Sequence, residues 1–257
     1  MIYMYRMKKG LYHLYSTHVM DFFVSSGSLC IAAFIYWKSM VRDYGGMCDL
    51  TVADSFMLCW MPFFRCILLT PVVLVLVMRL NQHNYMVNRI IRYKSVREMS
   101  RTQILYHASF FALLSLSLTV FIAYIGKADA KGWVDLCGSR SLFVYMNNGM
   151  TSDEASFPFI VFVFWCSLFL YMELLEVCFI FFRLIFRERV MAFLAVYIMC
   201  LIENYFIRFP VIFGRAGAGY ERWVNRDFRI LQTMMILVVF IELCGVLADR
   251  KDYINVE

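Results

Sequence analysis

The sequence predicts an all-α, polytopic membrane protein: a single helical bundle of six transmembrane helices over residues 1–257. The composition is one indication, because 62% of the residues are hydrophobic and 17% are charged, whereas a soluble domain is about half apolar and about a quarter charged. The other is the gathering of the apolar residues into long runs, since about 20 of them in a helix cross a bilayer.

Six apolar runs are long enough to be transmembrane spans. They cover approximately residues 19–37, 57–78, 105–125, 157–182, 190–207 and 230–248. Asp21 dilutes the first run, and Glu203 and Asn204 lie in the fifth. Pro62 and Pro71 both lie in the second run, where they predict a kinked or locally unwound helix.

The residues ahead of the first span have the pattern of an amphipathic helix. One face is apolar and contains Tyr3, Met4, Met7, Leu11, Leu14 and Tyr15. The opposite face is basic and contains Arg6, Lys9 and His13. We therefore expect an N-terminal helix that lies in the membrane interface in contact with lipid. The segment lacks the cleavage site of a signal peptide, so we expect it to be retained.

Positive charges in the loops predict the orientation of the spans. The loop after the second span, residues 79–101, carries six basic residues and one acid, Glu98. Both termini fall on the same side as this loop. Of the 25 Lys and Arg residues, fourteen lie on this side, ten lie on the other, and Arg65 lies within a span. We therefore expect the loop and both termini in the cytoplasm.

Motifs for catalysis or cofactor binding are missing from the sequence. It has no Walker-type GxxxxGK[ST] loop, no HExxH pair and no GxSxG turn, and the glycine-rich residues 214–219 lack the Lys-Ser/Thr pair of a phosphate loop. No cysteine pair has CxxC spacing, although Cys48 and Cys137 lie in polar loops where a disulfide is one alternative. We expect no catalytic residue, no metal site and no cofactor in this chain. The basic charge favours anionic lipid as a partner rather than nucleic acid.

Five ionisable residues lie inside the predicted spans, where each costs several kcal/mol unless it is paired or hydrated. They are Arg65, Glu173, Glu176, Glu203 and Glu242. Arg65 and Glu203 fall in the same half of the bilayer and form a candidate ion pair. Glu173 and Glu176 are three residues apart and share a helix face. They suit either a polar lining of a substrate path or, without a transport role, snorkelling or hydrogen bonds between helices.

Three segments follow one another in an order known from a transporter family. A basic amphipathic helix leads into the first span, Arg92-Tyr-Lys-Ser95 follows the second, and the glycine-rich and aromatic segment 208–229 precedes the last. In this order and in its length, the chain resembles the six-span permease subunits of type-2 ABC exporters. The small permeases of Firmicutes that accompany peptide or bacteriocin export and immunity are the most similar group.

The resemblance implies a coupling helix within residues 84–101 that docks into a cytoplasmic ATP-binding subunit. The docking residues would be Asn84, Arg89, Arg92, Tyr93, Lys94, Ser95 and Arg97. ATP and Mg would be bound by that partner ATPase, and a second copy or a homologous permease would complete a dimeric pore. The membrane would be the plasma membrane, here the bacterial cytoplasmic membrane. The alternative for this loop is a basic segment that only fixes the topology.

The expected function is therefore that of a permease subunit of an ATP-driven exporter and not that of an enzyme. Its substrate would be a peptide or another hydrophobic or amphipathic compound. The alternative function is that of a non-transporting membrane subunit, such as a sensor, an immunity protein or an assembly protein, which binds partners through its loops.

Overall fold

The chain is all-helical throughout the part that the computed structural model describes. The backbone is described for residues 2–82, 96–146, 155–186, 188–206, 212–213 and 229–250, and the side chains for the same ranges except 2–16, 96–101, 229 and 249–250. The elements are α1 (Ile2–Tyr44), α2 (Val52–Leu58), a π-helix (Phe64–Leu69), α3 (Thr70–Leu80), α4 (Val96–Asp129), α5 (Leu142–Met146), α6 (Phe157–Phe186), α7 (Arg189–Tyr205) and α8 (Arg229–Arg250).

Four of the helices are long and apolar enough to cross a membrane. Their candidate spans are Thr17–Tyr44, Thr102–Asp129, Phe157–Phe186 and Ile230–Ala248. They correspond to the first, third, fourth and sixth predicted spans. Large apolar side chains on these helices are exposed, among them Phe23, Val120 and Met235, as is normal for helices whose solvent is lipid. The expected all-α membrane architecture is therefore confirmed at this level.

The second predicted span is divided rather than continuous. α2 ends at Leu58 and a turn follows at residues 59–61. The helix resumes at Pro62 and passes through the π-helix Phe64–Leu69 into α3. This break agrees with the local unwinding that the prolines predict. The fifth predicted span is α7, whose 17 residues extend about 26 Å at the α-helical rise. Both elements are shorter than the four long helices.

α1 bends at the junction between its first part and its membrane span. His18 has non-helical dihedral angles, φ −111° and ψ 15°, immediately before the predicted start of the span. Its Nδ1 lies 2.9 Å from Asp21 Oδ2, and Arg79 at the end of α3 donates to Asp21 Oδ1 at 3.1 Å. The carboxylate that dilutes the first span is therefore paired at one end of the bundle.

α1 and α4 lie side by side and run parallel. Ser26 Oγ lies 3.3 Å from Ser117 Oγ, and Trp37 Nε1 donates to Asp129 Oδ2 at 2.9 Å, so residue numbers rise together along the two helices. Lys38 also forms an ion pair with Asp129 at 2.8 Å. Trp37 and Asp129 mark the end of the bundle opposite to His18, which we call the capped end.

The cap consists of the loop between α1 and α2 and the loop between α4 and α5. Isolated parallel bridges join Asp49 to Ser141 and Thr51 to Gly132. Lys131 Nζ donates to Asp49 Oδ1 at 2.7 Å, and this hydrogen bond lowers the pKa of the Asp49 carboxyl. The cap therefore joins the connection between α1 and α2 to the connection between α4 and α5.

Two cysteines lie in the cap, and neither forms a disulfide. Cys48 is buried and Cys137 is exposed, so the disulfide considered from the sequence does not form. Burial raises the pKa of the Cys48 thiol, which lowers the fraction of reactive thiolate.

α6 is the central helix of the bundle. In its most apolar window 61% of the residues are buried, compared with 22% for α1 and 17% for α8. It packs against α2, α3, α4, α7 and α8. The largest fully buried side chains around it are aromatic: Trp37, Phe56, Phe64, Phe110, Phe111, Phe164, Tyr171, Phe179 and Phe213. Side chains in the middle of α6, residues 170–180, are therefore enclosed by protein rather than by lipid.

Replacing Gly126 of α4 with alanine should destabilise the protein, because α2 lies against this glycine. A Cβ at position 126 would lie 2.5 Å from Ser55 Oγ and 2.9 Å from Ser55 Cβ. Ser55 is fully buried and donates to Val52 O at 2.7 Å, so it cannot move aside freely. Overpacking should lower the free energy of unfolding by about 2 kcal/mol. This loss should outweigh the stabilisation of about 1 kcal/mol that alanine's higher helix propensity provides. Thermal unfolding in detergent measures the net loss.

Gly27→Ala is the matched control for this prediction. Gly27 is also helical, but nothing lies within 4 Å of a Cβ placed there. The free energy of unfolding of this variant should rise by about 0.5–1 kcal/mol, because alanine has a higher helix propensity than glycine. If the two variants changed the unfolding temperature in the same direction, close contact at Gly126 would not be the cause.

Candidate functional site

Three ionisable side chains meet inside the bundle between α4 and α6, and we call them the acidic cluster. They are His107 from α4 and Glu173 and Glu176 from α6, with exposed fractions of 3%, 2% and 0%. The spacing of the two glutamates places them on neighbouring positions of one helix face, as the sequence predicts. Neither reaches out of the bundle, so snorkelling does not describe them.

The acidic cluster contains one hydrogen bond and two unpartnered oxygens. His107 Nδ1 is bonded to Glu176 Oε1. Glu176 Oε2 and Glu173 Oε1 are buried without a hydrogen-bond partner among the described residues. The bond to His107 is the helix–helix hydrogen bond of the second alternative, but Glu173 has none. A buried carboxylate without a partner is costly in a bilayer, which makes this group a candidate for proton exchange or for contact with a polar ligand.

A second polar group surrounds Arg65, and we call it the arginine cluster. Arg65 lies in the π-helix with 6% of its surface exposed, and its Nη2 donates to Asn204 Oδ1 on α7. The guanidinium carbon lies 5.3 Å from the ring centre of Trp60 and 5.7 Å from that of Tyr171. Both rings therefore stabilise the charge through their π faces. Arg65 Nε and Trp60 Nε1 are buried donors without an acceptor in the described part of the chain.

The ion pair expected between Arg65 and Glu203 is wrong. The Glu203 carboxylate instead accepts the backbone N–H groups of Ile212 and Phe213, each at 2.9 Å. Successive residues of an α-helix are rotated by about 100°. Asn204 therefore faces Arg65, while Glu203 faces Ile212 and Phe213. Glu203 thus holds the segment that follows α7 against the bundle.

A chain of hydroxyl and thiol contacts extends the arginine cluster across four elements. Thr70 Oγ1 donates to Arg65 O at 2.7 Å and lies 2.7 Å from Tyr171 Oη. Tyr171 Oη lies 3.1 Å from Cys200 Sγ, which lies 3.7 Å from Cys66 Sγ. These contacts join the π-helix, α3, α6 and α7, so that movement of one element changes the contacts of the other three.

Several residues of these clusters carry no signal in the sequence. Trp60, Thr70 and Tyr171 lie in apolar runs where aromatic and hydroxyl residues are common. His107 could have been found from the sequence, because it is ionisable and lies inside the third predicted span. Glu242, the fifth predicted residue, lies half-buried on α8.

The predicted docking residues fall mainly outside the described part of the chain. Asn84, Arg89, Arg92, Tyr93, Lys94 and Ser95 lie there, and Arg97 lies in the first turn of α4 without a described side chain. The described residues that flank this segment lie at one end of the bundle. Arg189 Nη2, at the start of α7, donates to Gln82 O at 2.7 Å. The segment therefore begins and ends at the His18 end of the bundle.

No family model, no curated protein and no solved structure matches this chain. Within the described ranges, no group of three or more His, Cys, Asp or Glu side chains could hold a metal ion.

Proposed function

We propose that this chain is the permease subunit of an ATP-driven ABC exporter. It would move a peptide or another hydrophobic or amphipathic substrate across the plasma membrane together with a separate ATP-binding subunit. The observation that supports this most is the burial of Glu173, Glu176, His107 and Arg65 inside the bundle. Ionisable groups enclosed in a membrane protein are costly and are typical of substrate or ion pathways.

In this proposal the chain crosses the membrane six times. The π-helix and α3 together would form the second crossing and α7 the fifth, each of 17 residues, or about 26 Å at the α-helical rise. A tilted neighbour or a locally thinned bilayer accommodates this length. The His18 end would face the cytoplasm with both termini, and the cap would face outward.

The segment between α3 and α4 would dock the ATPase. It is held at both ends by helices, so closure of a partner against it would be transmitted as a tilt of those helices. Its basic residues would meet acidic groups or carbonyls on the ATPase. A second copy of the chain or a homologous permease would supply the other half of the pore.

Reversal of charge at Arg92 and Arg97 should release the ATPase from the permease. We expect the Arg92→Glu/Arg97→Glu variant to remain in the membrane but to lose the co-purifying ATP-binding subunit in mild detergent, because like charges would then face each other in the groove. The measurement is a pull-down of the tagged chain followed by mass identification.

Arg42→Glu is the control, since Arg42 is an exposed basic residue at the capped end. It should leave the complex intact. If the ATPase stayed bound to the double variant, the docking assignment would fail.

Export assays separate this function from that of a non-transporting subunit. ATP-dependent, vanadate-sensitive export that disappears when the chain is deleted supports the permease. Export that continues without the chain, while the ATPase still co-purifies with it, supports a sensor, immunity or assembly protein.

A further inference from the structure

We infer that Arg65 and Trp60 form a binding site for an oxyanion, a carboxylate or phosphate group, that enters at the capped end of the bundle. The site would bind its anion whether or not the chain transports a substrate.

The first argument is a buried charge for which the described part of the chain provides no counter-ion. Arginine stays protonated in proteins, and Arg65 is almost fully buried. Among the described residues it contacts a neutral amide, Asn204, and two aromatic rings, and the Glu203 carboxylate accepts backbone N–H groups instead. The rings lower the cost of the charge but offer no lone pair to its N–H groups. One negative charge is what the cluster lacks.

The second argument is the pair of donors without acceptors. Arg65 Nε and the indole Nε1 of Trp60 belong to adjacent side chains, and both are buried and unpartnered within the described residues. An unsatisfied buried donor costs about 1–3 kcal/mol, and here two such donors belong to side chains that stack on each other, with the guanidinium carbon 5.3 Å from the indole ring centre. A single carboxylate or phosphate has enough oxygens to accept from both, and the guanidinium geometry matches such groups.

The third argument is access from the lipid or water side. Asn204 is only partly buried, and its neighbours Tyr205 and Phe206 are exposed to 51% and 82%. Phe63, two residues before Arg65, is exposed to 52%. An amphipathic molecule could therefore place its apolar part on these aromatic groups and its anionic group on Arg65.

The shared chemistry has two sources, a lipid phosphate or the carboxylate of a soluble or amphipathic molecule. The test uses the full-length protein in mild detergent with three probes at constant ionic strength: acetate, inorganic phosphate and short-chain phosphatidylglycerol. Binding is measured by titration calorimetry and by the rise in unfolding temperature. We expect saturable binding of at least one probe. Preference for acetate identifies a carboxylate ligand, and preference for the lipid identifies a headgroup.

Variants assign the binding to this site. Arg65→Gln should weaken it about tenfold to a hundredfold, since a hydrogen bond to a charged group is lost. Two milder variants should each weaken the binding about fivefold or more. Arg65→Lys keeps the positive charge but loses the planar guanidinium donors, and Trp60→Phe keeps an aromatic ring but loses the indole N–H. Exposed Arg42 at the same end is the control, and Arg42→Gln should bind normally.

Two results would overturn the site. One is the failure of all three probes to bind the wild-type protein. The other is equal affinity in the wild type, Arg65→Lys and Trp60→Phe, which also decides the matter if Arg65→Gln does not fold.

Discussion

Replacement of His107 with leucine should lower the free energy of unfolding by about 3–5 kcal/mol, which is the usual loss when one partner of a buried pair is removed. Glu176 is fully buried, and its bond to His107 is the one hydrogen bond of its carboxylate among the described residues. Leucine would fill the space of the imidazole but offer no donor. Denaturation of the purified protein in detergent measures the loss.

The double variant His107→Leu/Glu176→Leu is the decisive control. With both polar partners gone, no carboxylate at position 176 is left unsatisfied, and a well-packed apolar pair is often as stable as a buried ionic one. We therefore expect the double variant to recover most of the stability that the single variant loses. Equal losses in the single and double variants would show that the imidazole stabilises the bundle by packing rather than by its bond to Glu176.

The second large effect should follow from Glu203→Met. The carboxylate accepts two backbone N–H groups, from Ile212 and Phe213, and a hydrogen bond to a charged group contributes about 1.5–3 kcal/mol. Methionine preserves the shape without the acceptors, so we expect a loss of about 3 kcal/mol. Phe213 is fully buried against Tyr171. We expect this contact to open more often in the variant, together with the residues around Phe213.

Limited trypsin digestion measures this loosening, because arginines lie throughout residues 208–229. Cleavage there should be faster in Glu203→Met than in the wild type, and intermediate in Glu203→Gln, which keeps one carbonyl oxygen. Glu188→Met is the control, since Glu188 is exposed at the start of the same helix and makes no capping bond. Unchanged cleavage in Glu203→Met would mean that other contacts hold the segment.

The sequence predicts the long helices well and the broken one only in part. α1, α4, α6 and α8 arise from long apolar runs, which have one physical explanation in a membrane protein. The division of the second span could be expected from Pro62, which cannot donate a backbone hydrogen bond. The π-helix after it could not, because a change from i→i−4 to i→i−5 bonding has no signature in residue type.

The polar clusters show what depth alone cannot predict. The sequence places Arg65 and Glu203 at similar depth, but the ion pair does not form, because partner choice depends on which helix faces meet. Glu173 and Glu176 illustrate the opposite case: their spacing on one helix fixes a shared face without any tertiary information. The pairing of His107 with Glu176, 69 residues away in the chain, becomes apparent only when α4 and α6 are packed together.

The π-helix makes the number of residues between Pro62 and Thr70 as important as their identity. Thr70 N–H bonds to Arg65 O, five residues back, so this turn accommodates one residue more than an α-helix would. Deleting one residue after Arg65 would let the turn relax to α-helix while α3 stayed in place. The Arg65 carbonyl would then accept from the same N–H as before, now four residues away, so the helix on both sides would keep its orientation. A further inserted residue would instead rotate everything before it by about 100° and move the guanidinium away from its aromatic neighbours. The segment therefore tolerates the loss of one residue more readily than the gain of one.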